Sequence, residues 1–568
     1  MISGTNAAIL FEPTSYDIQV AKVMGRNVAG ATFLEGFVRH AEVDRYVGLT
    51  IGNDAGGIFR RRIAQITEGD PARSARRVDT LAPNSLEALA SVGALYLPDP
   101  QIARFAEDRR RLDQRAYSLC GITHTISSTG AMALLCDVLT APVQAWDAII
   151  FTSKSVRDAG LRQIEHHADY LEQRIGARPV NPIQTPIIPL GVDVARFDRL
   201  SRDGAARSSL RNRIGAADED VVLLFFGRLV FHAKAHPVPM YLGLERAARR
   251  LAAKGVRLHL VQTGHFPNQA AEDSYRDGAA QFCKSVAVHF LDGSDPALAD
   301  ASWAAADIFV SLSDNIQESF GITPVEAMAA GLPCVVSDWD GYRDTVVDGE
   351  TGIRVPTWMP PAGTGAGFAD SYGRGSITYD LYIGFTSQAT AVDVPAFAAA
   401  VEALATDPER RRSMGEAGRR RAREVYDWSR LIGQYQALWA DLEARRRAAA
   451  EIAPSTWTAR NSRLTDPFDV FAGHASVTGT IDTELRIDPE GPAVAELLAL
   501  KCNTFAANAL VDADGMMALV EAVRGGAGTV RACLERIPPE QRVRAVRTLG
   551  WLLKYGVLNL GNGRGNGS

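Results

Sequence analysis

Lysine is nearly missing from this chain. Seven occur in 568 residues (Lys22, Lys154, Lys234, Lys254, Lys284, Lys501 and Lys554), so arginine supplies almost all of the 61 basic side chains. Set against 66 acidic residues they leave a net charge of −5, which argues against a dedicated nucleic-acid binder. Cysteine is scarce too. Cys120, Cys136, Cys283, Cys334, Cys502 and Cys533 form no C-x-x-C and have no histidine at ligand spacing. That excludes a disulfide framework or a zinc site, and fits reduced thiols in a cytoplasmic protein. No apolar run approaches the roughly 18 residues of a membrane span. Met1-Ile2-Ser3-Gly4-Thr5 has neither the basic nor the long apolar stretch of a secretion signal. The expected location is the cytoplasm, with the inner face of a membrane left open. The 50 glycines follow no period, and 46% hydrophobic content is too high for a disordered chain.

What is present is a rhythm. At roughly 100–200 residues per domain the length allows three or four units. Short β-branched apolar runs alternate with helical patterns, as in parallel α/β layers. A first series comprises 8–11, 46–51, 94–97, 118–123 and 148–151; a second comprises 221–226, 256–262, 286–291, 307–312, 334–337 and 353–355. Gly191-Val192-Asp193 sits between them as a hinge. The expected architecture is α/β: a Rossmann-like half over 1–190, a second over 191–440, a helical extension over 455–558 and a disordered tail over 559–568. Two such halves place a cleft at the carboxyl ends of both sheets. Residues 52–90 read as an Arg-bearing loop and 357–376 as a flexible excursion. The helices around Arg410–Arg447 read as a pair packed on the second half.

Chemistry concentrates in two strand-end segments. In Glu318-Ser319-Phe320-Gly321-Ile322-Thr323-Pro324-Val325-Glu326, Thr323, Pro324 and Glu326 fit a helix start with a capping box. The amides of Phe320, Gly321 and Ile322 would then favour an anion, and Gly321 lets backbone approach a phosphate closely. Glu318 and Glu326 can accept hydrogen bonds from sugar hydroxyls, although Glu326 fits a plain capping box equally well. Gly227-Arg228, followed by Lys234, sets two cations after the first strand of the second half, suited to a diphosphate leaving group. Asp338-Trp339-Asp340 reads as a loop rather than a metal site, and nothing else calls for a metal or cofactor.

These segments resemble the retaining nucleotide-sugar glycosyltransferases of family four, which have the GT-B fold. The likeness extends through Glu326-Ala327-Met328-Ala329-Ala330-Gly331-Leu332-Pro333, Ser337…Gly341…Val347-Asp348-Gly349 and Ile188-Pro189-Leu190-Gly191-Val192-Asp193. It covers roughly 1–440 and is most specific between 186 and 356. The resemblance implies that Arg228 and Lys234 hold the donor diphosphate and that Glu318 meets the sugar hydroxyls. It further implies that Gly227, Ser319, Phe320, Gly321 and Ile322 line the donor, and that Glu326 meets the ribose. His124 would face the donor sugar, and Gly25 and Gly30 would form a Gly-rich first loop. Two departures stand out. Lys234 falls one position later than usual after Arg228, and the family's Gly-Gly-x-x-Glu turn reads Asp340-Gly341-Tyr342-Arg343-Asp344.

The function so implied is transfer of a sugar from a nucleotide-diphosphate donor, with retention and without metal or cofactor. The acceptor would be a saccharide, a lipid-linked molecule or a protein. The alternatives are a GT-B-type epimerase or phosphorylase, or a non-catalytic binding protein on a degenerate transferase fold. Arg clusters at 60–62, 73–77 and 109–111 fit an anionic acceptor or membrane surface, or simply a solvated Arg-rich face. The helical extension is a candidate for homo-oligomerisation.

Overall fold

A computed structural model describes residues 6–17, 25–450, 465–505 and 507–561. They form two units, Met1–Arg460 and Asn461–Ser568. The larger holds two six-stranded parallel sheets. The first comprises β1 (Ala8–Phe11), β2 (Arg45–Thr50), β3 (Arg77–Leu81), β4 (Ala94–Tyr96), β5 (Ser118–Ile122) and β6 (Ala148–Ile150), in the order β3-β2-β1-β4-β5-β6. The second comprises β7 (Val221–Phe226), β8 (Leu258–Gly264), β9 (Ala287–Asp292), β10 (Ile308–Ser311), β11 (Cys334–Ser337) and β12 (Gly352–Val355), in the order β12-β11-β10-β7-β8-β9. Both are doubly wound with the same strand order, as expected for paired Rossmann-like halves. Central strands such as β1 and β10 are buried throughout, which is why they read as unbroken apolar runs rather than alternating ones. In each sheet the order reverses between the first and fourth strands: β1 beside β4, and β7 beside β10. A crevice opens at such a reversal because the flanking connections leave to opposite faces.

The chain crosses between halves twice, and the two crossings lie side by side. The Val192 amide donates to the Tyr426 carbonyl at 2.9 Å, and Val192 bridges Asp427. Trp428 then seats against two glycines; a Cβ at Gly191 would lie 2.4 Å from its ring, and one at Gly36 2.7 Å. A π-helical turn at Ala422–Tyr426 precedes this crossing.

Several expectations need correction. The helix Trp428–Ala448 does not pack on the second half. Trp428, Leu431, Tyr435, Trp439 and Leu442 enter the first half's core beside Phe33, Phe37 and Tyr96, so a boundary at 440 cuts a helix that belongs to the first half. Periodicity marked the buried stripe but carried no information on which sheet it covers. Residues 52–90 are not a loop, for they hold the helix Ala55–Ile66 and the edge strand β3, whose partly exposed, charge-bearing sequence hid its β character. Residues 357–376 are structured as well. Strands β13 (Thr357–Trp358) and β14 (Ala391–Val392) pair antiparallel and close off the helices Ala366–Gly373 and Tyr379–Gln388.

The Arg clusters are largely neutralised within the fold. Arg61 pairs with Asp54 and Arg77 with Asp79, while Arg73 and Arg76 donate to the carbonyls of Val38 and Ala41. Arg109 is not a surface residue at all. Both it and Asp147 are 0% exposed, joined by two bonds of 2.7 and 2.8 Å.

The smaller unit packs its helices around Leu485, Val494, Leu519, Cys533, Leu549 and Leu552. It is not purely helical: β15 (Leu485–Ile487) and β16 (Leu558–Leu560) pair antiparallel. The expected disordered tail therefore begins inside a strand, at 559–560, and residues 562–568 lie outside the described residues, as do 455–464 of the expected extension. Among the described residues no helix is long and apolar enough to cross a membrane.

Candidate active site

The site forms where β7 and β10 release their loops at the reversal point of the second sheet. After β7, Gly227 adopts φ +144°, and its carbonyl would lie 1.8 Å from a Cβ built on Gly264. This tight turn presents Arg228, which is half-buried and makes no hydrogen bond or ion pair among the described residues. A half-buried guanidinium with no such partner beside a crevice is open to an anion. Its charge also acts on His265 at the end of β8, whose imidazole is held below its ordinary range by burial first and by Arg228 second.

Lys234 meets Glu318 directly, Nζ to Oε2 at 2.8 Å. Glu318 is 9% exposed and also accepts from the Ser319 amide at 3.2 Å. Burial alone would raise its carboxyl; the Lys234 charge and the amides of Ser319 and Phe320 outweigh that and hold it below the usual range. The Glu318 carboxylate is thus charge-compensated by Lys234 before any ligand enters.

The helix after this turn begins differently from the expected capping box. Ile322–Ala330 starts at Ile322, and its N-cap is Gly321 at φ +77° with no side-chain cap. Thr323 is therefore the second residue of the helix rather than its cap. Gly321 is required by the fold itself, since a Cβ there would lie 2.0 Å from the Tyr342 ring. Phe320 is buried against Tyr426 and anchors the turn. Without a capping side chain the helix N-terminus is free to offer its amides to an anion. Glu326 forms no hydrogen bond among the described residues, and burial pushes its carboxyl up to about 7 despite the opposing charges of Arg196 and Lys234. A capping-box role is thereby removed, because Gly321 offers no side chain to reciprocate.

The Asp340 turn contacts the first half. Asp340 adopts φ +44°, the left-handed backbone that suits the glycine of the resembled motif. Its carboxyl is held well above the usual range by burial and by the charges of Glu318 and Asp344. Asp344 accepts from the Lys154 amide at 2.6 Å, at the N-terminus of the helix Lys154–Ile175, where a carboxylate is favoured. Ser153 Oγ donates to the Ser319 carbonyl at 2.8 Å, and Ser155 Oγ to the Asp340 carbonyl at 3.3 Å. The departure from the motif thus serves as an inter-half contact beside the Glu318 turn. Ser153 and Asp344 carried no sequence signal for this, because their partners lie 166 and 190 positions away.

In the first half the expected residues are less closely grouped. His124 Nε2 donates to the Pro98 carbonyl at 2.9 Å, and His124 lines a small pocket with Gly30, Phe33 and Trp428. Gly25 and Gly30 do not form a loop among the described residues; both lie in the helix Gly25–His40. Gly30 allows close packing, since a Cβ there would lie 2.4 Å from the Ser15 carbonyl oxygen. Among the described residues no group of three or more His, Cys, Asp or Glu is arranged to hold a metal ion.

Residues 206–358 match the family model described as Glycosyl transferases group 1, a span that contains Arg228, Lys234, Glu318 and Glu326. The chain is 28% identical over 297 residues to a D-inositol 3-phosphate glycosyltransferase of Geodermatophilus obscurus, covering 51% of this chain and 55% of that one. It is 33% identical over 170 residues to the phosphatidyl-myo-inositol mannosyltransferase of Mycolicibacterium smegmatis, covering 30% and 38%. The chain spans about half the length of the curated relatives it matches first. Among solved structures, Anabaena HepE in complex with UDP and glucose is similar at 16% identity and TM-score 0.47, over 77% of this chain and 100% of that one.

Proposed function

We propose that this chain, whose residues 206–358 carry the group 1 glycosyl transferase pattern, moves a sugar from a nucleotide-diphosphate donor to an acceptor hydroxyl, with retention and without a metal ion. The observation that carries this reading is the unpaired Arg228 together with the Lys234–Glu318 pair, beside an uncapped helix N-terminus at the sheet reversal. Two cations and free amides answer a diphosphate. A buried carboxylate answers sugar hydroxyls once Lys234 shares its protons with phosphate oxygens. In the transfer, the acceptor oxygen bonds C1 of the sugar as the C1–O bond to the diphosphate breaks. The electron pair stays on the leaving oxygen, and the hydroxyl proton passes to the nucleoside diphosphate. Arg228, Lys234 and the helix amides stabilise the charge that grows there. His124, on the first-half side, is the residue we assign to the sugar's opposite face.

The experiment is incubation of the full chain with a panel of sugar nucleotides, with and without acceptors. Acceptor-dependent release of nucleoside diphosphate is expected, with slow hydrolysis when no acceptor is present. Isomerised donor would point to an epimerase, and binding without turnover of any donor would leave only a binding protein.

Glu326 offers a test with a defined sign. Its carboxyl titrates at about 7 in the unliganded protein. Because the folded state holds this proton more tightly than the unfolded chain, the associated stability is full below the unfolded value and is lost as pH rises through about 7. A ribose hydroxyl donates better to the ionised form. Nucleoside diphosphate affinity is therefore expected to rise between about pH 6 and about pH 8, and the Glu326→Gln variant to lack that rise. Titration calorimetry across this range checks it; equal slopes in both proteins would remove Glu326 from the ribose.

A further inference from the structure

The segment between Arg228 and Lys234 is one residue longer than in the resembled family, and it is gripped from two sides. From the β10 loop, Asn315 Nδ2 donates to the His232 carbonyl at 2.6 Å, Gln317 Nε2 to the Ala233 carbonyl at 3.2 Å, and Ser313 Oγ to the Lys234 carbonyl at 3.2 Å. From the other side comes the 357–392 insert. Ile383, fully buried, packs between Val230 and Ala233. His232 Nε2 lies 3.7 Å from the Asp380 carboxylate.

The same insert reaches the first half. The Tyr379 hydroxyl lies 2.8 Å from Ser127 Oγ and 3.4 Å from Thr125 Oγ1, just beyond His124. The Tyr372 hydroxyl accepts from the Thr129 amide at 3.3 Å, and its ring stacks on Tyr382 at 4.8 Å. Tyr379 and Ile383 are four residues apart on one helix, hence on one face. A single helix therefore touches the first-half loop at one point and the lysine-bearing segment at the other.

We propose that Tyr379 is a positioning residue that couples the seating of the 125–129 loop to the placement of Lys234. The diphosphate clamp is then fully set, and water shut out, only when the two halves are together. This rests on the transferase reading. If the halves fail to seat, a water oxygen replaces the acceptor oxygen at C1, its proton passing to the nucleoside diphosphate, and donor is hydrolysed rather than transferred.

The test uses the full-length Tyr379→Phe and Ser127→Ala variants and their combination. Expected are a nucleoside diphosphate affinity and a transfer kcat each lower by about three- to tenfold, the effect of one hydrogen bond, and a larger hydrolysed share. The double variant should lose less than the sum of the two single losses, because both remove the bond between Tyr379 and Ser127. An unchanged ratio of transfer to hydrolysis, or additive losses, would overturn the coupling. A second measurement does not depend on activity. Amide hydrogen exchange across residues 229–234 should quicken by about three- to tenfold in Tyr379→Phe, and unchanged exchange overturns the proposal. A wild-type chain that turns over no donor overturns the transferase reading instead, while the exchange result still decides the coupling.

Discussion

Arg228→Ala is expected to lower sugar transfer by about 10²–10³-fold, the usual loss when one preorganised donor to a developing oxyanion is removed, while the melting temperature changes little. The two halves of that expectation have separate reasons. Arg228 makes no ion pair or hydrogen bond among the described residues, so truncating it leaves no buried carboxylate without its partner. In the proposed transfer its charge would act where the diphosphate oxygen becomes more negative as the sugar departs, so the loss should fall on kcat as well as on donor binding. Glu318→Gln behaves differently. It removes the carboxylate that compensates Lys234 at 2.8 Å, and a freed lysine is a stronger phosphate ligand. Nucleoside diphosphate binding should hold or improve in that variant while turnover of the sugar nucleotide falls steeply. Paired calorimetry and kinetics on the two variants check this contrast. Near-normal turnover in Arg228→Ala would take the leaving-group role from that residue.

Arg109→Ala is expected to cost about 3–5 kcal/mol of stability, the typical result of breaking a buried ion pair from one side. The guanidinium bonds both Asp147 oxygens and also donates to the Tyr117 carbonyl at 2.8 Å. Asp147 in turn accepts from the amides of Leu119 and Gln144 at 2.9 and 2.8 Å. Removing Arg109 therefore strands a carboxylate and a carbonyl between β5 and β6, where water does not reach. Replacing both charges with apolar groups is often neutral for a simple buried pair. Here the combined Arg109→Met and Asp147→Leu change should recover only part of the loss, because it orphans two amides that Asp147 now satisfies. Urea unfolding of the two variants separates these cases, and an Arg109→Ala protein as stable as wild type would refute the account.

The arginines illustrate what a linear reading misses. Arg109, Arg110 and Arg111 look alike as a cluster, yet Arg109 is fully buried and Arg110 pairs with Glu107. The partner of Arg109 is set by how strands β5 and β6 and the helix Ile102–Arg109 fold together, whereas Arg110 pairs locally three residues back, and residue type alone does not tell the two apart. Lys234 and Glu318 were each legible as members of strand-end motifs, but their 2.8 Å contact spans 84 positions. The capping box at Thr323 failed for a local reason. The Tyr342 ring occupies the space where a Cβ at 321 would lie, so the chain turns through a left-handed glycine and the helix starts two residues early.

By itself the sequence determined the second strand series and the first except for β3, the crossing near 191–193, and the placement of Arg228, Lys234 and Glu318 after strands with Glu326 in the helix that follows. Those features follow from local patterns: apolar runs buried on both faces, turn residues at strand ends, and the short reach between a strand and its following helix. Only the tertiary structure decided that the Trp428–Ala448 helix returns to the first half, that the 357–392 insert joins the two halves through Tyr379, and that Asp344 caps a helix across the cleft. These are choices of partner. Burial patterning says that a face is covered, and the packing of distant segments says by what.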